Sequence, residues 1–457
     1  MSRSLAFKLG ASALLTALLL LVLARIDSLV AERQALRDAV VRDIARSSTY
    51  EQQLTGPILV VPYNKTERVW VTDPETRAQR SENRTTPGEL RFLPEALRID
   101  GQLNTQVRHR GIYQARVYRA DLRLSAAFSV PAHNGIEADA DAYQFGRPFL
   151  AVGVGDIRGI GSLSAHGANG GPLEFSPGSG TPLLSAGVRA LLPQAAAAEV
   201  SARRVEVSIE VSLAGTGQLL VTPVGRQTRV AMSSNWHSPS FVGDYLPQHY
   251  DLNGQGFKAV WETSFFATNL EEVLRKCDAE SACADFTARP FGVAFADPVD
   301  QYLQTDRAIK YALLFILPTF VALFLYEMGR KLAIHPIQYA LVGAALAVFY
   351  VLLLSLSEHV GFAIAYLVST CACVALIGFY ICNALRNVRH GIGFTAALSA
   401  LYALLYVILS AEDYALLAGS LLVFGLLAAL MITTRHINWF DLEAAARRDP
   451  ADTGPGR

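Results

Sequence analysis

The segment from Ser233 to Asp244 brings together the side chains of this chain that are best suited to chemistry. Serine, histidine and aspartate can form a hydrolase triad, in which the histidine takes the serine proton. The segment has no G-x-S-x-G nucleophile elbow, and His237 and His249 are not spaced like a familiar zinc pair. We interpret it as a binding loop without catalytic, metal or cofactor residues, formed by Asn235, Trp236, His237, Phe241 and Asp244; a periplasmic hydrolase is the alternative.

A second motif, from Gly153 to Gly159, is rich in glycine and invites comparison with a nucleotide-binding loop. Arg158 stands where the third glycine of G-x-G-x-x-G belongs, and no G-K-[ST] follows. The motif therefore predicts a turn in which the Asp156 side chain bonds its own backbone.

Apolar residues are distributed very unevenly and set the architecture around these motifs. One run covers Phe7–Leu23, and five more lie between Tyr311 and Ile432. A bilayer-spanning helix needs about 20 apolar residues. Lys+Arg and Asp+Glu balance at 40 each, so the composition gives no indication of a nucleic-acid partner. The sequence predicts a membrane α+β protein with one N-terminal anchor, a large outer domain and a five-helix bundle.

The loops between the apolar runs predict the orientation. Loops with Arg330 and with Arg386 alternate with the loops at Glu358 and Glu412, which carry no lysine or arginine. Basic loops stay in the cytoplasm, so both termini are predicted to be cytoplasmic and the large domain periplasmic. A cleaved signal peptide is the alternative reading of the first run.

Strict alternation from Val205 to Leu213 predicts a β-strand with one buried face. The turn at Gly215-Thr216-Gly217 predicts a hairpin that returns along Gln218–Val224. Leu183–Leu192 and Leu270–Cys277 are predicted to be helices, and Thr72–Gly88 is predicted to be a polar loop. The outer domain is expected to be β-rich and mostly antiparallel.

Two further groups of residues have a predicted role. Cys277 and Cys283 could form a disulfide, although their spacing does not establish the geometry. Acidic side chains on the outer loops either cap helices or form a polar platform. We predict that they dock the domain to the bundle through Asp297, Asp300, Asp306, Arg307, Glu358, His359, Glu412 and Asp413.

Several segments together resemble the CreD family of inner-membrane proteins. They include Ser233–Phe241, Asp297–Tyr302, Thr305–Tyr311, His335–Tyr339, Leu354–Phe362 and Glu412–Leu417. The resemblance implies a bacterial inner-membrane protein that is linked to cell envelope integrity, to envelope stress and to tolerance of envelope-directed toxins and β-lactams. It brings no catalytic motif.

With the role in envelope integrity that the resemblance implies, we predict a non-enzymatic inner-membrane protein that acts through binding by its tethered domain. Its partners would be the lipid bilayer and another envelope protein or envelope component. A carrier or flippase-like protein for a lipid or amphiphile is the alternative. The predicted segments are 1–6 cytoplasmic, 7–24 anchor, 25–307 β-rich periplasmic domain, 308–433 bundle and 434–457 cytoplasmic tail.

Overall fold

We analysed a computed structural model of the chain, which describes residues 3–72, 79–136, 139–167, 171–193, 201–277, 283–295, 301–330, 335–384, 388–410 and 415–435. The chain divides into two compact units. One unit combines Met1–Arg37 with Val299–Arg457, and the other is Asp38–Pro298. Each unit is described by itself below.

The unit Asp38–Pro298 is built on two sheets within the described residues. The first sheet has nine strands: β1 (Gln52–Thr72), β2 (Gln79–Phe92), β5 (Tyr143–Phe145), β6 (Phe149–Val154), β9 (Phe175–Pro177), β10 (Gly187–Leu191), β12 (Gln218–Thr222), β14 (Ser240–Gly243) and β17 (Phe291–Ala294). The second has eight: β3 (Ala96–Arg110), β4 (Tyr113–Val130), β7 (Ile160–Gly167), β8 (Pro172–Leu173), β11 (Arg203–Thr216), β13 (Gln227–Ser234), β15 (His249–Asn253) and β16 (Gly256–Ser264).

The alternation that predicted β11 is confirmed. Val207, Ile209, Val211 and Leu213 are buried, whereas the residues between them are exposed or half-buried. The strand pairs antiparallel with β4 along its whole length, and β4 pairs antiparallel with β3. Side chains from both sheets meet in one hydrophobic core, which includes Phe128, Trp261 and Phe291.

The predicted hairpin between β11 and Gln218–Val224 is wrong. Gly217 adopts a positive φ of 80°, but the chain that follows leaves the second sheet. Strand β12 instead pairs parallel with β1 and antiparallel with β17 in the first sheet. Leu219 and Val221 on β12 are fully buried. The strand therefore contributes side chains to the core between the two sheets and does not return along β11.

Two other local predictions are also wrong. The helix expected at Leu183–Leu192 is replaced by β10, where Gly187 approaches β6 so closely that an added Cβ would collide with the Val152 carbonyl. The loop expected at Thr72–Gly88 contains most of β2, which pairs with β1 as far as Thr72 opposite Gln79. The polar composition of β2 reflects exposure, because its first nine residues are all exposed.

Helices α2 (Phe265–Thr268) and α3 (Leu270–Lys276) follow β16, and α3 agrees with the predicted helix. The other unit is helical in the described part. It contains most of α1 (Arg3–Ser47) together with α4 (Gln301–Lys310), α5 (Leu313–Arg330), α6 (Pro336–Val360), α7 (Phe362–Ala384), α8 (Val388–Ser410) and α9 (Ala415–Thr434).

Four of the described helical segments are long and apolar enough to cross a membrane: Leu14–Ser47, Pro336–Val360, Phe362–Asn383 and Gly391–Ser410. A fifth span results if Gln301–Lys310 and Leu313–Leu325, which meet at a bend of 41°, are taken together. Leu417–Ile432 is a shorter apolar helix. The protein is therefore a membrane protein of the α+β class. A total of six spans stays a prediction.

Helix α1 is longer than its apolar part. It runs for 45 residues and ends at Ser47, so that the segment after Ala24, which the sequence assigned to the β-rich domain, begins as helix. At 1.5 Å per residue the helix is about 68 Å long, roughly twice the thickness of a bilayer core.

Candidate binding loop and sheet edge

The predicted binding loop is held in place by its own hydrogen bonds. The Asn235 side-chain oxygen accepts bonds from the Thr105 backbone N–H at 2.9 Å and from the Thr105 hydroxyl at 3.0 Å. The Trp236 indole N–H donates to the Ser238 carbonyl at 2.7 Å. Only 7% of Trp236 is exposed, so this side chain is a structural anchor of the loop.

Three side chains contact one another at the loop. The Arg116 guanidinium is 3.5 Å from the centre of the Trp236 ring, and the ring of the exposed His237 lies 4.7 Å from that of Trp236 between centroids, tilted by 47°. A cation over an indole face is stabilising by about 0.5–2 kcal/mol. Trp236 therefore contacts both neighbours, and the His237 ring stays accessible.

The hydrolase alternative needs His237 to contact a serine and an aspartate. In the described segment 201–277, no hydrogen bond joins His237 to either, and the Ser233 hydroxyl donates to the Gly101 carbonyl. Asp244 lies 3.9 Å from the Arg289 guanidinium. Among the described residues, no three His, Cys, Asp or Glu side chains converge on a position that could hold a metal ion.

Phe241 connects the loop to the edge of the second sheet. Its ring lies 5.5 Å from that of Tyr250 on β15, and it contacts Phe257 and Trp261 edge-on at 5.9 and 5.6 Å. Phe257 and Trp261 belong to the core, whereas Tyr250 is 61% exposed. The sequence singled out Phe241 but missed Tyr250, because a short strand with five exposed residues carries no burial period.

The structure joins Cys277 and Cys283 in a disulfide, with Cα atoms 4.9 Å apart. Both side chains are buried, and the Arg91 guanidinium lies 3.5 Å from the Cys277 carbonyl. The bridge connects the end of α3 to the turn at Ala284–Thr287.

The glycine-rich motif forms a structural junction rather than a phosphate loop. The Asp156 carboxylate accepts a bond from the Arg158 backbone N–H at 3.1 Å, which confirms the predicted turn. The same carboxylate pairs with the Arg158 guanidinium at 2.6 Å and accepts from the Tyr50 N–H at 3.2 Å. The Arg158 guanidinium lowers the pKa of Asp156, and the Tyr50 and Arg158 N–H groups act in the same direction against burial.

Arg158 and Gln52 extend this junction to neighbouring segments. Arg158 donates to the Arg46 carbonyl at the end of α1 at 3.0 Å, where a cation suits the helix dipole. The Gln52 amide donates to the carbonyls of Asp156 and Ala214 at 3.0 and 2.9 Å. A Cβ at Gly159 would overlap the Ala214 carbonyl, which explains the glycine.

The predicted docking residues are described only in part. Asp297, Asp300, Glu412 and Asp413 lie outside the described residues. Asp306 and Arg307 lie in α4, which belongs to the helical unit, and Asp306 pairs with Lys310 at 2.6 Å. In the same unit the Tyr302 hydroxyl donates to Glu358 at 3.1 Å, and His359 contacts the Ser355 carbonyl at 3.0 Å. Docking of the domain stays a prediction.

One buried acid of the helical unit was missed. Glu327 in α5 is 5% exposed and accepts a 2.8 Å hydrogen bond from the Tyr339 hydroxyl of α6. In the sequence it stands at the end of an apolar run beside Arg330, and it therefore resembles an ordinary charged flank.

Taken together, the apolar helices and the two-sheet domain define a multi-pass membrane protein of the α+β class. A family model described as Inner membrane protein CreD matches residues 4–440. The chain is 36% identical over 424 residues to the Inner membrane protein CreD of Escherichia coli strain K12, covering 93% of this chain and 91% of that protein. The chain belongs to the CreD family of inner membrane proteins.

Two solved structures that align with part of this chain are only weakly similar to it. A variant of the M1 zinc metallopeptidase from Deinococcus radiodurans aligns at 9% identity with a TM-score of 0.20, covering 37% of this chain and 38% of that one. The unsubstituted enzyme aligns at 6% identity with a TM-score of 0.18. Likeness of this size carries no argument about the present chain.

Proposed function

We propose that this chain is a non-enzymatic inner-membrane protein that supports envelope integrity and the response to envelope stress by binding a partner through its β-rich domain. The observation that carries the proposal is an exposed apolar surface beside the binding loop. Leu246, Tyr250 and Leu252 are 73%, 61% and 48% exposed, and the Phe241 ring lies 5.5 Å from that of Tyr250. Apolar and aromatic side chains that gather on a surface are typical of interaction sites.

The proposal includes a topology of six spans, with both termini in the cytoplasm and the β-rich domain in the periplasm. It is supported by the alternation of basic and non-basic loops. A single cysteine introduced at the exposed position Asp121 should react with a membrane-impermeant maleimide on intact spheroplasts. A cysteine at Arg389 should react only after lysis; the reverse pattern would refute the orientation.

Replacing Leu246, Tyr250 and Leu252 together by serine tests the function. All three are exposed, so the substitution should leave the fold intact. In a strain that lacks its own copy of the gene, the variant should fail to restore survival under a β-lactam or detergent. Ile112→Ser and Leu191→Ser, at apolar positions that are 43% and 45% exposed elsewhere on the domain, are the matched controls and should restore it. Full rescue by the triple variant would exclude this surface.

A further inference from the structure

Strand β15 is the edge of the second sheet. It pairs with β16 on one side, and within the described ranges no strand lies on its other side. All five of its residues are exposed. The backbone N–H and C=O groups along such an edge are a template on which another extended chain can add as a strand.

The inner face of this edge carries two exposed apolar side chains, Tyr250 and Leu252. Tyr250 and Leu252 lie opposite Ala259 and Phe257 on β16, and both of these partners are buried in the core. Residues directly opposite each other in an antiparallel pair share a face of the sheet. Tyr250 and Leu252 therefore continue the core face to the edge of the sheet, where they stay 61% and 48% exposed although the Phe241 ring of the first sheet lies 5.5 Å from that of Tyr250. Two apolar side chains of an added strand would cover them.

The outer face of the same edge is acidic at one position. Asp251 lies opposite Lys258 on its β16 side, and an added strand would place one side chain opposite Asp251 on the free side. A second copy of this chain that matched Tyr250 with Leu252 would have to be centred on Asp251. It would then place two Asp251 carboxylates opposite each other, which is unfavourable. A lysine or arginine at that position is complementary in charge.

We propose that β15 binds an extended segment of a partner protein as an added antiparallel strand, with apolar side chains facing Tyr250 and Leu252 and a basic side chain facing Asp251. This inference rests on the binding role proposed above and specifies its partner. Main-chain hydrogen bonds would supply the affinity, and the apolar–basic–apolar pattern would supply the specificity.

The probe is a fluorescent peptide, Ser-Thr-Thr-Val-Lys-Val-Thr-Thr-Ser, titrated against the full chain in nanodiscs and followed by anisotropy. We expect saturable binding that is lost when alternate backbone amides are N-methylated, since this removes hydrogen bonds and keeps the side chains. Asp251→Lys should weaken binding by about fivefold, because a cross-strand charge pair contributes about 1 kcal/mol. A peptide with glutamate in place of lysine should instead prefer Asp251→Lys over the parent.

Asp121→Lys is the matched control, because Asp121 is exposed on the outer face of β4 in the same sheet; it should leave binding unchanged. Equal binding of the N-methylated peptide, or no effect of Asp251→Lys, would overturn strand addition. A dimer in solution that Asp251→Lys alters would assign the edge to a second copy and would also overturn it.

The experiments distinguish failure of strand addition at β15 from failure of the proposed envelope function. If no peptide binds while the triple serine variant still loses envelope function, strand addition is wrong and the surface retains its role. If the peptide binds with the expected charge preference while the triple variant rescues fully, strand addition holds and the envelope role of this surface is wrong.

Discussion

The Glu327 carboxylate accepts a 2.8 Å hydrogen bond from the Tyr339 hydroxyl, and the two side chains are 5% and 8% exposed. This hydrogen bond joins helix α5 to helix α6. A charged group among apolar helices is costly unless it is hydrogen-bonded, so Tyr339 stabilises this position of Glu327.

Removing the Tyr339 hydroxyl should therefore destabilise the helical unit. We expect Tyr339→Phe to lower the free energy of unfolding in micelles by about 0.5–2 kcal/mol, the range of hydrogen bonds between membrane helices. A double-mutant cycle with Glu327→Gln measures the coupling between the two side chains. Independent, additive effects would show that the bond contributes nothing.

The Asp156 junction predicts a dependence of stability on pH. Arg158 lowers the pKa of Asp156, so the stabilisation is present above the unfolded-state pKa of about 3.9 and is lost as pH falls through the lower folded-state value. Asp156→Asn should thus lower the free energy of unfolding by about 1 kcal/mol at neutral pH. The difference from the parent should begin to shrink below about pH 4 and disappear below the folded-state pKa.

Chemical denaturation at several pH values measures this difference. Asp121→Asn, at an exposed position away from the junction, is the control and should show no comparable loss. A deficit for Asp156→Asn that persists unchanged in acid would show that the charge is not responsible.

The bridge between Cys277 and Cys283 predicts a redox-dependent stability. Because it closes a loop with a sequence separation of 6, it should stabilise the domain by about 2 kcal/mol in the chain-entropy model. Maleimide labelling of the denatured protein should modify these two cysteines only after reduction, as read by peptide mass. Modification before reduction, in protein taken from the membrane, would refute the bridge.

Substitutions at Trp236 and His237 distinguish a structural role of the loop from a role in hydrolysis. Trp236→Ala removes a buried anchor and should cost about 3–5 kcal/mol of domain stability. His237→Ala changes an exposed ring and should leave the stability of the domain as in the parent. Hydrolysis by a serine triad needs this imidazole, so full complementation of the same deletion strain by His237→Ala would exclude the hydrolase alternative.

The sequence predicted features that depend on local pattern. The alternation at Val205–Leu213 and the Asp156 turn are confirmed because burial on one face and a short-range hydrogen bond are written in adjacent residues. Family membership followed from many short segments in a consistent order, and the comparisons confirm it.

Features that depend on distant partners were missed. Gln218–Thr222 joins β1, from which it is separated by more than a hundred residues, and Gly187 is required by a carbonyl on another strand. Neither partner is visible near those positions in the chain. The same holds for the edge at Tyr250, whose ring contacts Phe241 on a strand of the other sheet, and for Glu327, whose hydrogen-bond donor lies on the next helix.

Because α1 is a continuous helix, the number of its residues also determines the direction in which its groups point. Each residue of an α-helix advances about 100° around the axis, so one residue inserted between Asp43 and Arg46 would turn the Arg46 carbonyl, which accepts from Arg158, by that angle relative to Asp43, which pairs with Arg110. Inserting a full heptad would nearly restore the phase while adding about 10 Å. In this last part of α1, the number of residues therefore fixes the direction in which each contact points as well as its position along the axis.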